Sequence, residues 1–275
     1  MNPTLQAALW MSGAIASFSA MAVAGREVSA ELDTFEIMTY RSVVGLLILW
    51  AVLTATRRWG EVSRQSLGLH ALRNLAHFTG QNLWFYAVTA IPLAQVFALE
   101  FTSPIWVVML SPLILGERLT RVRVLSVCVG FVGILIVARP SPDSLNAGIV
   151  TAAASAIFFA LSVVFTRRLT RHTSVAGIMF WLTLMQAGLG LITSAWDGQM
   201  HLPSANTAPW LLLIGCAGLL AHFCLTSALA IAPATVVVPI DFVRLPTIAV
   251  IGMWVYGEAL DLWVFVGAAV IFSAN

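Results

Sequence analysis

The chain repeats itself. Residues Tyr86–Ala138 and Ser227–Asn275 share one pattern at an offset of 141 positions. Ala87-x-x-x-Ile91-Pro92 returns as Ala228-x-x-x-Ala232-Pro233, and Gly116-Glu117-x-Leu119 returns as Gly257-Glu258-x-Leu260. The same offset sets Glu100 over Asp241, each inside an apolar run. A chain with two related halves folds as two related units, so what one half builds the other must build as well.

Composition says where those units fold. The chain is 60% hydrophobic and 9% charged over 275 residues, with a mean hydropathy of +0.93. A water-soluble domain carries about 25% charged residues. Too little charge is left to cover a wetted surface, so the expectation is an all-α integral membrane protein. All 14 basic residues are arginine, and the net charge of +2 gives no footing for nucleic acid. The three cysteines, Cys128, Cys216 and Cys224, fall in apolar runs without metal-ligand spacing and are expected as small buried hydrophobes. No metal or cofactor is expected.

About 20 apolar residues are needed to cross about 30 Å of hydrocarbon, and only helices satisfy their own backbone there at this length. Ten spans are expected, near Thr4–Ala24, Phe35–Ala55, Gly68–Ala90, Leu93–Leu115, Val122–Ala138, Ala147–Phe165, Val175–Ala195, Ala208–Ala230, Ala234–Tyr256 and Leu262–Asn275. The first resembles a signal peptide at Ala20-Met21-Ala22 but has no basic residue before it, so it is expected to be retained. The last is short, and the natural chain is expected to continue past Asn275. Nine arginines follow spans two, four and six, against Arg26 and Arg139 in the connections expected on the other side. That excess predicts cytoplasmic N and C termini. Five spans per half is an odd number, so the second copy starts from the opposite face of the membrane. The expected domains are therefore two inverted five-helix repeats, 1–139 and 140–275, the architecture that lets a carrier open to either side.

Candidate functional residues are polar groups where lipid should be. Glu100 and Asp241 each lie about eight residues into a span, roughly 12 Å deep, where an ionised group persists only if it is paired or wetted. Arg244 follows Asp241 by three residues on the same helix face. Either the two neutralise each other, or they line a polar cavity with Glu100. Glu100 has no arginine three residues on, only Ser103, so it is expected to be the lone carboxylate and the candidate for proton coupling. In span three, His70, Arg73, His77, Gln81 and Trp84 recur every three or four residues and share one face. Arg73 is expected to snorkel to the interface. His77, Gln81 and Trp84 lie deeper, and Gln81 maps onto His222 by the same offset. Such residues either bond between helices or line water. Arg41 in span two is a further cavity or gate candidate. Trp59, Trp210 and Trp263 suit the interface, whereas some of Trp84, Phe85, Tyr86, Phe158 and Phe159 can wall a substrate side chain, the alternative for each being core packing or lipid contact. Pro104 and Pro246, inside spans four and nine, are expected to kink these helices and gate the cavity.

Together the repeated Ala-x-x-x-Ile/Ala-Pro and Gly-Glu-x-Leu motifs, Pro104 and Gly130-x-x-Gly133 resemble the drug/metabolite transporter superfamily in its ten-helix EamA-type branch. The resemblance covers the whole chain. It implies inverted five-helix repeats around a central cavity, helices four and nine near the core, and small-molecule substrates. Within the branch the chain is most similar to bacterial exporters of amino acids, including aromatic ones. The expectation is a multi-pass transporter of the bacterial cell inner membrane that exports neutral or aromatic amino acids by alternating access, with protons as a candidate coupling partner. Glu100 and Asp241 would meet the ammonium or carry protons; Arg244 and the His77–Gln81 face would meet the carboxylate. The alternative is export of hydrophobic cations or of nucleotide- or S-adenosylmethionine-like metabolites. No His-Glu-x-x-His or Gly-x-Ser-x-Gly is present, so an enzyme is not expected.

Overall fold

The computed structural model describes residues 3–116, 120–138, 146–196, 200–259 and 262–273. Among them the chain is helical, with no strand. The elements in order are α1 (Pro3–Val28), α2 (Thr34–Ala55), α3 (Leu67–Ala90), α4 (Leu93–Glu100), α5 (Ser103–Leu115), α6 (Arg121–Ala138), α7 (Ala147–Leu169), α8 (Val175–Ser194), α9 (Ala208–Ile231), α10 (Ala234–Ile240), α11 (Arg244–Tyr256) and α12 (Leu262–Ser273). Among the described residues six apolar segments are long enough to cross a membrane: α1, α2, α4 with α5, α7, α8 and α9. Helix α3 has the length, but buries six polar residues, His70, Arg73, Asn74, His77, Gln81 and Asn82.

Helix ends follow from local chemistry. Asp33 and Glu36 form a reciprocal capping box at α2, satisfying two of the amide groups a helix start leaves open. Asn146 caps α7 through Ile149 N, and Ser174 caps α8 through Gly177 N. Helices α5 and α11 both end in a left-handed residue, Gly116 at φ 68° and Gly257 at φ 65°. Only glycine enters that region without a Cβ penalty.

Two expected spans are not continuous. The run 93–115 breaks after Glu100, and the run 234–256 passes through a 3₁₀ turn at Asp241–Val243. The bends were expected at Pro104 and Pro246 themselves; they lie on the N-terminal side of those prolines, at the two acids. The reason is local. Pro104 and Pro246 have no N–H to give the carbonyls four residues earlier, those of Glu100 and Phe242. Pro104 therefore begins α5 in its first turn, where a missing N–H costs little. Pro112 lies inside α5 without ending it.

The helices pack as exchanged pairs. The closest partners are α1 with α9, α3 with α7, α2 with α8, and α6 with α12. Two apolar clusters form the core. One holds Ala87, Val88, Ile91, Leu93 and Val96; the other holds Ala228, Leu229, Ala232, Ala234 and Val237. These are the same positions displaced by 141. Helix α1 places Met21, Ala24 and Val28 in the first cluster and Ala7, Met11 and Ala14 in the second. A single helix joins them end to end, so the clusters sit at opposite ends of the bundle. Each copy of the repeated Ala-x-x-x-Ile/Ala-Pro motif fills one end.

Candidate substrate cavity and its seals

Between the two apolar clusters lies a cavity of ≈ 90 Å³. Helices α1, α3, α4, α5, α7 and α9, the 3₁₀ turn and α11 contribute to it. At about 10–15 Å³ per water centre it has room for several waters, so the polar side chains around it can be solvated inside the bundle. Phe18 lines it and packs against both end clusters.

One wall is an acid node. Arg244 Nη2 donates to Glu100 Oε1 at 2.6 Å and to Asp241 Oδ2 at 2.5 Å. Trp84 Nε1 donates to the other Glu100 oxygen at 2.7 Å. Glu100 is therefore not the lone carboxylate its sequence neighbourhood suggested. It ends α4 while Arg244 begins α11, and the two helix breaks bring them together across the cavity. Spacing along one helix could not show a pair 144 residues apart. The Arg244 guanidinium also lies 4.8 Å from the Phe97 ring, 4.9 Å from Phe18 and 5.4 Å from Phe101, contacts that stabilise a desolvated cation. Two carboxylates against one arginine leave the node with one formal negative charge. Asp241 Oδ1 and Arg244 Nε have no hydrogen-bond partner among the described residues.

A second group of lining residues is basic. Arg73 is 2% exposed and lines the cavity. Its Nε donates to Thr166 Oγ1 at 3.0 Å and its Nη1 to Asn74 Oδ1 at 3.0 Å. The snorkelling expected of Arg73 does not occur, because Thr166 of α7 holds its head inward. His77 and His222 meet edge to face, ring centroids 4.5 Å apart, and Nε2 of each is buried without a partner among the described residues. Gln81 accepts a hydrogen bond from Arg41 Nη1. Arg41 does not reach the central cavity. It lines a separate space of ≈ 20 Å³ between α2, α8 and α9, on the far side of His222. Neither Arg41 nor Arg73 has a carboxylate within 4.0 Å among the described residues. An arginine at a helix centre in the membrane costs about 2.5–3.5 kcal/mol by insertion measurements, so two of them without counter-ions are a functional feature to be explained.

The other candidates divide. Trp84 and Phe159 line the cavity, Phe85 is core, and Tyr86 is exposed. Pro104 lines the cavity beside Ser103, whereas Pro246 does not. His70 is fully buried outside the cavity, against Trp181.

The bundle ends carry a feature that sequence reading missed. At one end Arg26 Nε donates to Val88 O at 3.0 Å and Nη2 to Ile91 O at 2.8 Å, and Nη1 pairs with Glu258. Glu258 Oε1 also accepts from Leu93 N at 3.2 Å. At the other end Arg167 Nη1 donates to Leu229 O at 2.5 Å, and Arg171 Nη2 to Leu115 O at 3.2 Å. Arg26 and Arg167 are 141 apart, and so are Val88 and Leu229. The signal is in the repeat, whereas the position of Arg26 in a connection between spans shows only a charge. The left-handed Gly257 turns the chain back, so Glu258 N bonds Gly252 O at 3.2 Å and its carboxylate faces Arg26. Glu117, the counterpart of Glu258, lies outside the described residues, as do Leu119 and Leu260.

A polar cavity between two apolar seals, in a bundle of membrane-length helices, defines a membrane carrier. The EamA-like transporter family model matches residues 5–139 and again 146–274, and the chain belongs to that family. It is 33% identical to a riboflavin transporter of Brucella anthropi over 76% of this chain and 75% of that one. It is 30% identical to a pseudopaline exporter of Pseudomonas aeruginosa over 94% and 90%. It is 25% identical to an S-adenosylmethionine uptake transporter of Rickettsia felis over 97% and 90%. None of these three names an aromatic amino-acid exporter. A solved crystal structure at 19% identity matches the fold with a TM-score of 0.75, over 98% of this chain and 94% of that one.

Proposed function

We propose that the chain is a secondary carrier of the bacterial inner membrane that moves a small organic metabolite outward through the central cavity by alternating access. Neutral or aromatic amino acids are the leading class. The observation that carries this is the pair of end seals built from equivalent repeat positions around one polar cavity. Two equivalent seals let either end open while the other stays shut. The topology this requires is ten spans in two inverted halves, 1–139 and 140–275, with both termini cytoplasmic. The end-to-end placement of the two motif copies supports it. In this reading Asp241 Oδ1 receives the substrate ammonium, and Trp84, Phe18 and Phe159 pack its apolar part. The cavity of ≈ 90 Å³ is smaller than the roughly 300–1,000 Å³ of drug-sized ligand sites.

The S-adenosylmethionine relative favours amino-acid derivatives as a second substrate class, and the riboflavin relative favours planar ring systems. The test is flux into proteoliposomes of purified protein, with phenylalanine, methionine, S-adenosylmethionine and riboflavin, each with and without a pH gradient. At least one substrate should exceed protein-free liposomes, and Glu100→Gln should reduce that flux. A gradient-dependent flux identifies proton coupling; an indifferent one identifies facilitated passage. No flux above background for any compound would overturn the carrier reading.

A further inference from the structure

We infer that Arg73, His77 and His222 form a subsite for an oxyanion, carboxylate or phosphate, of the carried substrate, with Arg41 as a positioning residue behind it. This rests on the carrier reading above; of the anion-binding role that sequence placed on Arg244 and the His77–Gln81 face, it keeps His77 and moves the rest to Arg73 and His222. Arg244 is already committed. Its Nη2 holds both buried carboxylates and its face is stacked among Phe18, Phe97 and Phe101. Arg73 is not committed. Its Nε and Nη1 are held by neutral oxygens of Thr166 and Asn74, which aim the guanidinium without neutralising it, and its Nη2 has no protein partner among the described residues. A purely structural buried arginine is ordinarily matched by a carboxylate; this one borders the cavity and has none.

The neighbouring imidazoles point the same way. His77 and His222 come from equivalent helices of the two halves and both line the cavity. Each leaves Nε2 without a partner among the described residues, although both are at least 95% buried. An imidazole N–H donates to an oxyanion, so two of them beside one arginine make a donor set on one wall. Arg41 touches none of this surface. Gln81 and the backbone of α9 at Gly218 hold it behind His222, where a Cβ at position 218 would stand 3.0 Å from Arg41 Nη2. From there it adds a second uncompensated positive charge. The charges agree with an anion: Arg41, Arg73 and Arg244 against Glu100 and Asp241 leave a formal +1 in the bundle centre. Glu36 does not offset it, since its carboxylate is engaged at one bundle end by the backbone of Asp33 and by His201. Purely cationic substrates are therefore disfavoured.

The test uses compound pairs that differ in the acidic group: phenylalanine against phenylalaninamide, and riboflavin 5′-phosphate against riboflavin. Binding to the full chain in nanodiscs is measured by calorimetry, and flux in proteoliposomes is measured alongside. The acidic member of one pair should bind about tenfold or more tighter, the value of one charge-assisted hydrogen bond. The pair that shows the preference tells carboxylate from phosphate. Arg73→Gln should bring that ratio to about one, with the affinity of the member lacking the acidic group little changed, whereas Arg73→Lys should retain part of it. If neither pair prefers its acidic member, or if Arg73→Gln leaves the preference intact, the subsite is overturned even where flux persists. A preference without flux would leave the subsite standing and overturn the carrier reading instead.

Discussion

Neutralising Glu258 should open one end of the bundle. The Arg26–Glu258 pair joins the end of α1 to the turn after α11, and both side chains are under one-fifth exposed. Glu258→Gln keeps the size of the side chain and removes its charge. A hydrogen bond between charged groups contributes about 1.5–3 kcal/mol, against about 1 kcal/mol for a neutral one. The net loss is therefore about 0.5–2 kcal/mol, a shift of about twofold to thirtyfold toward the open end. Arg26 keeps its bonds to Val88 O and Ile91 O, so the seal loosens without falling apart. The reporter is Ser103→Cys in the cavity wall, with Cys128, Cys216 and Cys224 replaced by serine. Its alkylation by a membrane-impermeant maleimide, applied from the side carrying Arg26, follows the open population. The rate should rise by the stated factor, and the rate from the opposite side should fall or hold. An unchanged rate from the Arg26 side, or a rise only from the other, would refute the assignment of this pair as a seal.

Other outcomes follow from particular contacts. Pro104→Ala returns an N–H to the position that would bond the Glu100 carbonyl; α4 and α5 should straighten, draw Glu100 from Arg244 and cut flux about tenfold, while stability changes by less than about 1 kcal/mol because a first-turn proline costs little. Unchanged transport kinetics would count against the break as a moving part. Gly218→Ala places a Cβ 3.0 Å from Arg41 Nη2; it should weaken binding of the acidic probe severalfold while the melting temperature holds or rises, since alanine favours the helix by up to about 1 kcal/mol. In the loop after α1, hydrogen bonds from Thr207 and Ser204 hold Glu31 below its ordinary pKa of 4.5. A carboxylate whose folded pKa is depressed contributes stability that is complete above its unfolded value and is lost as pH falls through the folded one. Thermal unfolding followed below about pH 5 should therefore show a decline that is shallower in Glu31→Gln; identical slopes would remove Glu31 from the acid response.

The chain's apolar runs, its repeat and the polar face of α3 were legible before any coordinates, because each is a local property. Hydrophobic length reports a membrane, a 141-residue offset reports duplication, and a three-to-four spacing reports a helix face. Gly116 and Gly257 were readable as motif positions, although their left-handed turns give the reason. What only the tertiary structure decided was pairing. Glu100 looked solitary because its partner lies 144 positions away, and Arg73 looked interfacial because depth along a helix does not reveal that Thr166 crosses its path. Arg41 looked like a cavity residue and stands one layer behind. Pattern along the chain set the elements and their faces. Which buried charges were matched and which were left open depended on where two broken helices crossed, because Coulombic partners are chosen by distance in space and the sequence records only distance along the chain.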